Sequence, residues 1–200
     1  MPFSQACENN KLPILQVLRA HLQDHKTVLE IAGGTGQHAV YFAQSLPALH
    51  WQSSDIPANV DSLKIRINHA KLENLPEPEP LDVNGSWPEQ CYDLIYSANS
   101  LHIMSADSVR NFFAGVGPRL NAEGLLIVYG PFKYKGEFTT ESNARFDEWL
   151  KTRDPESGVR DFEWVNELAD HAGLDLLEDH AMPANNQALV WRTRNSPARN

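Results

Sequence analysis

Residues 28–39 read VLEIAGGTGQHA, an apolar run that ends in a glutamate and then breaks into glycine at positions 33, 34 and 36. The run predicts a buried strand over 27–32. The glycines predict the sharp turn and close backbone approach that lead into a helix over 37–46. Strand-to-helix turns of this kind most often cradle phosphates on free backbone N–H groups. Glu30 stands against that use, because a carboxylate beside the turn repels a phosphate. A cation suits the position better.

Outward from this turn, strand-like runs alternate with helix-length segments, the pattern of an open, mainly parallel sheet wound with helices. Strands are expected at 49–55, 80–83, 92–97 and 124–130, and helices at 57–71 and 105–120. An N-terminal helix over 9–24, with Asn9 and Asn10 as candidate caps and Pro13 in its first turn, precedes the repeat. After the 124–130 strand comes a polar and aromatic stretch with helices near 140–152 and 161–172. The last two strands, near 174–181 and 187–193, are joined by MPANN, which is too short for a crossover helix and so predicts an antiparallel hairpin. The tail from 195 to 200 reads as disordered. The 200 residues, 42% hydrophobic, suit a single domain. A parallel sheet closed by such a hairpin is the Rossmann-like, seven-stranded class I methyltransferase arrangement, with helices on both faces.

The glycine turn alone does not choose between ligands, since GTGQHA also fits the dinucleotide pattern with Asp55 about twenty residues on. Glu30 favours S-adenosylmethionine, which carries a sulfonium and an ammonium but no phosphate. On this reading Ala32, Gly33, Gly34 and Gly36 wrap the methionine end, and Asp55 accepts from the ribose hydroxyls. Ile56 lies on the adenine, and Asp82 and Val83 meet its edge. Each acid also reads, singly, as a strand-end carboxylate or helix cap.

VLEIAGGTGQHA, SSDIP, LDV, YDLIYSANSLHI, YGPF, SNARFDEWLKTRDPESGVRD and MPANN together resemble the methyltransferase-like protein 26 group, the domain of unknown function 938 family. The likeness runs from about Cys7 to Arg192 and implies an S-adenosylmethionine-dependent methyltransferase with an unidentified acceptor. Asn9 stands where relatives read arginine, and Ser157 where they read tryptophan.

The loop SANSLHIM faces the methyl group in such a fold. It offers Asn99 to the cofactor amino group or a substrate, and His102 as a general base or a packing residue. Tyr129 stands nearby as a cation–π or packing residue. Residues 131–161 are expected to form a lid-like insertion on the acceptor side, where Asn143, Arg160 and Asp161, with Asn185 and Asn186 from the hairpin, orient a small-molecule methyl acceptor. A catalytically silent cofactor-binding module and an NAD-linked oxidoreductase remain as alternative readings. The formal charge of −9 argues against nucleic acid. No apolar run is long enough for a membrane span, and no signal peptide is apparent, so a cytoplasmic protein is expected. No metal is expected: His21 and His25, spaced i, i+4, lack a third ligand and read as helix C-terminal charges.

Overall fold

The structure, a computed structural model, describes residues 1–22 and 25–194; the tail expected to be disordered lies outside them. In chain order the first half runs α1 (Gln5–His21), β1 (Thr27–Ile31), α2 (Gln37–Ser45), β2 (His50–Asp55), α3 (Pro57–Ala70), β3 (Glu79–Pro80) and β4 (Tyr92–Ala98). The second half runs α4 (Ala106–Val116), β5 (Leu120–Gly130), β6 (Phe132–Tyr134), β7 (Glu137–Phe138), α5 (Glu141–Arg153), β8 (Arg160–Asp161), α6 (Phe162–His171), β9 (Leu174–Met182) and β10 (Asn186–Thr193).

Seven strands form one sheet in the order β3-β2-β1-β4-β5-β10-β9, parallel except where β10 runs against β5 and β9. This is the class I methyltransferase topology. Strand alternation feeds two cores. Leu125, Ile127 and Tyr129 of β5 face a cluster with Ile14 and Leu18 of α1 and Phe42 of α2, while Leu126 and Val128 face Phe112, Phe113 and Val165 of α4 and α6. The reversal of strand order between β1 and β4 opens the crevice at the carboxyl ends of the parallel strands.

Three local outcomes differ from the sequence pattern. Helix α1 begins four residues early because the Ser4 side chain caps the Cys7 N–H, which leaves Pro13 inside the helix and turns Asn10 into the core. The third strand shrinks to two residues, since the prolines of PEPEP remove backbone donors, so Asp82 and Val83 fall in the turn beyond it. A second small sheet, β7-β6-β8, forms between β5 and α6. Its strands of two and three residues are too short to show a period.

At the opposite end of the sheet from the crevice, Asp93 ties three strands together. Its carboxylate accepts from the N–H groups of Lys26 and Thr27 at 2.8 and 3.0 Å, from the Thr27 hydroxyl at 3.1 Å and from the Asn121 amide at 2.7 Å. Partial burial pushes this carboxyl up, but the hydrogen bonds outweigh it and hold the pKa below the ordinary 3.8. Because the folded value is the lower one, the stabilisation is complete above the unfolded value and is lost as pH falls through the folded one. Asp93→Ala is expected to cost about 1–3 kcal/mol in urea unfolding at pH 7, with the gap to wild type narrowing in acid below pH 3.8.

Candidate functional site

Glu30 sits next to the end of β1 with 2% of its surface exposed. One carboxylate oxygen, Oε2, accepts from the Ser53 hydroxyl at 2.6 Å and from the Trp51 indole N–H at 3.2 Å, both on β2. Among the described residues no lysine, arginine or histidine pairs with it. Burial pushes its carboxyl up to about 7, against the two hydrogen bonds, with a further upward push from the Asp55 charge.

The turn after it packs without room for a side chain at Gly33, where a Cβ would lie 2.4 Å from Ser53 Oγ and 3.3 Å from Glu30 Oε2. Ala32, Gly34 and Gly36 have φ of 59°, 57° and 73°, so the chain is left-handed at three positions in five. Asp55 holds this shape: Oδ2 accepts from the Gly34 N–H at 2.7 Å, and Oδ1 accepts from the Ile56 N–H and the Asn59 amide. The sequence reading gave Asp55 to ribose; the structure adds that it braces the turn. Ile56 beside it is 44% exposed, Asp82 is exposed and Val83 is buried.

The N-terminal segment is the part that sequence reasoning missed. The Ser4 N–H donates to Gln37 Oε1 at 2.6 Å, and Gln37 Nε2 donates back to the Ser4 carbonyl and to Glu8. Arg66 of α3 bridges the Thr35 and Pro2 carbonyls. The strap thus crosses the glycine turn. Below it Asn10 Oδ1 meets His38 Nε2 at 2.6 Å, and the Tyr96 hydroxyl lies 3.3 Å from His38 Nδ1. Burial lowers the His38 pKa to about 4, so this ring is neutral. The two polar neighbours in ENNK, one turned inward, were the available signal.

On the other side of the crevice the loop after β4 carries Asn99 and His102. Asn99 is left-handed, φ 55°, and its N–H donates to the Tyr129 carbonyl at 2.8 Å. Four successive carbonyls of this loop are captured by one downstream segment. Arg160 Nε donates to Leu101, the Gly158 N–H to His102, the Ser157 hydroxyl to Ile103 and an Arg160 terminal nitrogen to Met104. The same terminal nitrogen of Arg160 also reaches the Glu156 carbonyl, so three of the five guanidinium N–H groups are used within the fold. His102 is buried against Phe146, ring centroids 5.2 Å apart. Burial, with Arg160 adding to it, lowers its pKa to about 4.

The remaining residues that the sequence assigned to an acceptor are also tied to neighbours. Asn143 donates to the Asn185 carbonyl and to Thr139, which joins α5 to the hairpin turn. The Asn185 amide reaches Ser142, and the Asn186 amide donates to the Tyr129 hydroxyl at 3.0 Å. Asp161 accepts from the Gly136 N–H at 2.7 Å and sits apart from this group, in the small sheet.

Residues 1–193 match a protein family described as "Protein of unknown function (DUF938)". In solved structures the fold recurs in an O-methyltransferase family protein from Burkholderia thailandensis, at 18% identity and a TM-score of 0.80, over 96% of this chain and 58% of that one. It recurs in a putative O-methyltransferase from Nostoc punctiforme, at 18% identity and 0.81, over 94% and 56%. It recurs again in human N-acetylserotonin methyltransferase in complex with SAM, at 18% identity and 0.79, over 94% and 53%. The chain thus spans a little over half the length of these proteins. Among the described residues no helix is long and apolar enough to cross a membrane.

The Glu30 carboxyl gives this site a pH signature. Its folded pKa of about 7 lies above the ordinary 4.5, so the native state keeps the proton longer than the unfolded chain, and stability falls as pH rises across that interval. Glu30→Gln, which keeps the acceptor oxygen, is expected to be more stable than wild type at pH 8 by up to about 3 kcal/mol. The two should converge near pH 4 in urea titrations of the protein without ligand.

Proposed function

The chain belongs to the DUF938 family, and we propose that it is an S-adenosylmethionine-dependent methyltransferase, of the methyltransferase-like protein 26 kind, acting on a small-molecule acceptor. The observation that carries this reading is a buried carboxylate, Glu30, which pairs with no cation among the described residues and lies beside a turn built to let backbone approach a ligand. Such a charge is costly unless something positive arrives. S-adenosylmethionine fits that donor set, and when bound it supplies a methyl group already activated on a sulfonium. A dinucleotide pyrophosphate would bring negative charge to the same place.

On this reading the Ala32–Gly36 turn and Glu30 hold the methionine end, Asn99 meets its amino group, Asp55 uses its remaining lone pair on the ribose, and Ile56, Asp82 and Val83 frame the adenine. Tyr129, set by Asn186, lines the reacting centre. His102 is unprotonated at neutral pH and so can take a proton, though as a weak base. Most of the rate would come from holding the acceptor in line, worth about 7 kcal/mol or more. Residues 131–161, part of the same single domain, form the acceptor wall, where Phe146 and the half-exposed Trp149 stack 5.7 Å apart. A second reading, a module that binds cofactor without transferring a methyl group, draws on the internal pairing of Arg160 and Asn143 and on the low basicity of His102.

Calorimetry separates the ligand classes. S-adenosylhomocysteine is expected to bind and NAD and NADP are not. A ligand ammonium lowers the Glu30 carboxyl, so binding near pH 6 releases a proton, and affinity rises from pH 6 to 8 and then levels. Glu30→Gln should weaken binding and remove the pH dependence. Tight NAD binding with no heat from S-adenosylhomocysteine would refute the proposal.

Incubation of metabolite extracts with methyl-labelled cofactor then separates enzyme from silent module. With a labelled product in hand, Asn143→Ala and Arg160→Ala are expected to leave cofactor affinity nearly unchanged and to cut labelling sharply. Arg160→Ala acts by freeing the Leu101 and Met104 carbonyls that fix the His102 loop. Wild-type labelling by both variants would reduce residues 131–161 to scaffold.

A further inference from the structure

Helix α1 ends at His21, which leaves His25 beyond it, and the partners His21 finds come from the far end of the sequence. His21 Nε2 lies 3.5 Å from His180 Nε2 and 3.7 Å from Glu178 Oε2, and the last two atoms are 2.6 Å apart. Residues 178 and 180 alternate onto one face of the edge strand β9, while Asp179 points the other way to the Tyr134 hydroxyl. Their cross-strand partners on β10, Val190 and Ala188, belong to the core that packs on α1, so the sheet turns both side chains toward the helix end. The C-terminal hairpin thus delivers to His21 two ligands that the spacing of His21 and His25 did not show.

We infer that His21, Glu178 and His180 form a binding site for a divalent transition-metal ion of the zinc class, which staples the end of α1 to the edge of the sheet. Two imidazole nitrogens and a carboxylate oxygen converge on one point, the donor set that zinc takes in open sites. Bonds of about 2.05 Å in a tetrahedron require ligand separations of about 3.4 Å. The His21–His180 and His21–Glu178 distances are already close to that, and only the His180–Glu178 pair has to open. A single proton shared between His180 and Glu178 satisfies those two but leaves the His21 ring nitrogen facing another ring nitrogen. Side-chain exposures of 12% for His21, 31% for His180 and 49% for Glu178 describe a site closed on the helix side and open to water on the other, where a fourth ligand enters. The site is separate from the cofactor crevice: its ligands come from the edge strand and the C-terminal end of α1, whose other end carries the strap over the glycine turn.

The test uses the full chain, freed of metal with a chelator and titrated with Zn2+ against a chromophoric competitor. One ion per chain is expected, with a rise in melting temperature. His180→Ala and Glu178→Gln, both at partly exposed positions, should weaken binding by at least about tenfold with unchanged circular dichroism, while His69→Ala, at an exposed histidine of α3, should not. Co2+ in the wild type should give the visible absorption of a four-coordinate ion, and His180→Ala should lose it. Equal Zn2+ affinity in wild type and His180→Ala, no uptake by the wild type, or a six-coordinate Co2+ spectrum would overturn the assignment. None of these readouts depends on methyl transfer, so the metal site and the proposed activity stand or fall separately.

Discussion

A carboxylate buried near the carboxyl end of β1, with no cation among the described residues to neutralise it, is the constraint around which the first half of the molecule is arranged. Removing an ion from water costs several kcal/mol even after relaxation, so Glu30 dictates its surroundings. It explains why β2, HWQSSD, is polar and yet buried: Trp51 and Ser53 donate to the Glu30 side chain, and the Ser54 hydroxyl donates to its backbone carbonyl. Ser53 in turn leaves no space for a Cβ at Gly33. One charge thus selects residues on two strands and the turn between the first strand and its helix.

The second half solves a different problem, an irregular loop whose backbone groups must still be paired. Residues 101–104 do not continue a strand, and their carbonyls find donors more than fifty positions downstream. Arginine suits position 160 because a planar fork reaches several carbonyls at once, which the point charge of a lysine does not. Ser157 contributes a hydroxyl to the same clamp. The position of His102 is therefore set by the segment after α5 as much as by β4.

The sequence showed the large elements because their apolar signals are long enough to read: β5 carries the unbroken apolar run LLIVY, and α4 is bounded by a serine cap. It showed the Glu30 conflict because charge and glycine lie side by side. It did not show the small three-stranded sheet or the strap, where the deciding contacts join residues such as Ser4 and Gln37, 33 positions apart. Nor did it show that Arg160 and Asn143 are occupied within the fold, because residue type tells what a side chain can bond and not what reaches it first. The same holds at the end of α1: the helical spacing of His21 and His25 was visible, while the approach of β9 to His21 depends on the pairing of the final hairpin.

Three carboxylates near strand ends differ in how much of their bonding capacity the protein itself uses. Asp93, at the bottom of the sheet, takes four donors and holds strands together. Asp55 takes three and braces the glycine turn. Glu30 takes two, both on one oxygen, although it is the most deeply buried of the three. Selection for stability alone would run the other way, giving the deepest charge the most donors or replacing it with an apolar residue. The inverted order supports a role for Glu30 that the folded chain does not complete from its own residues.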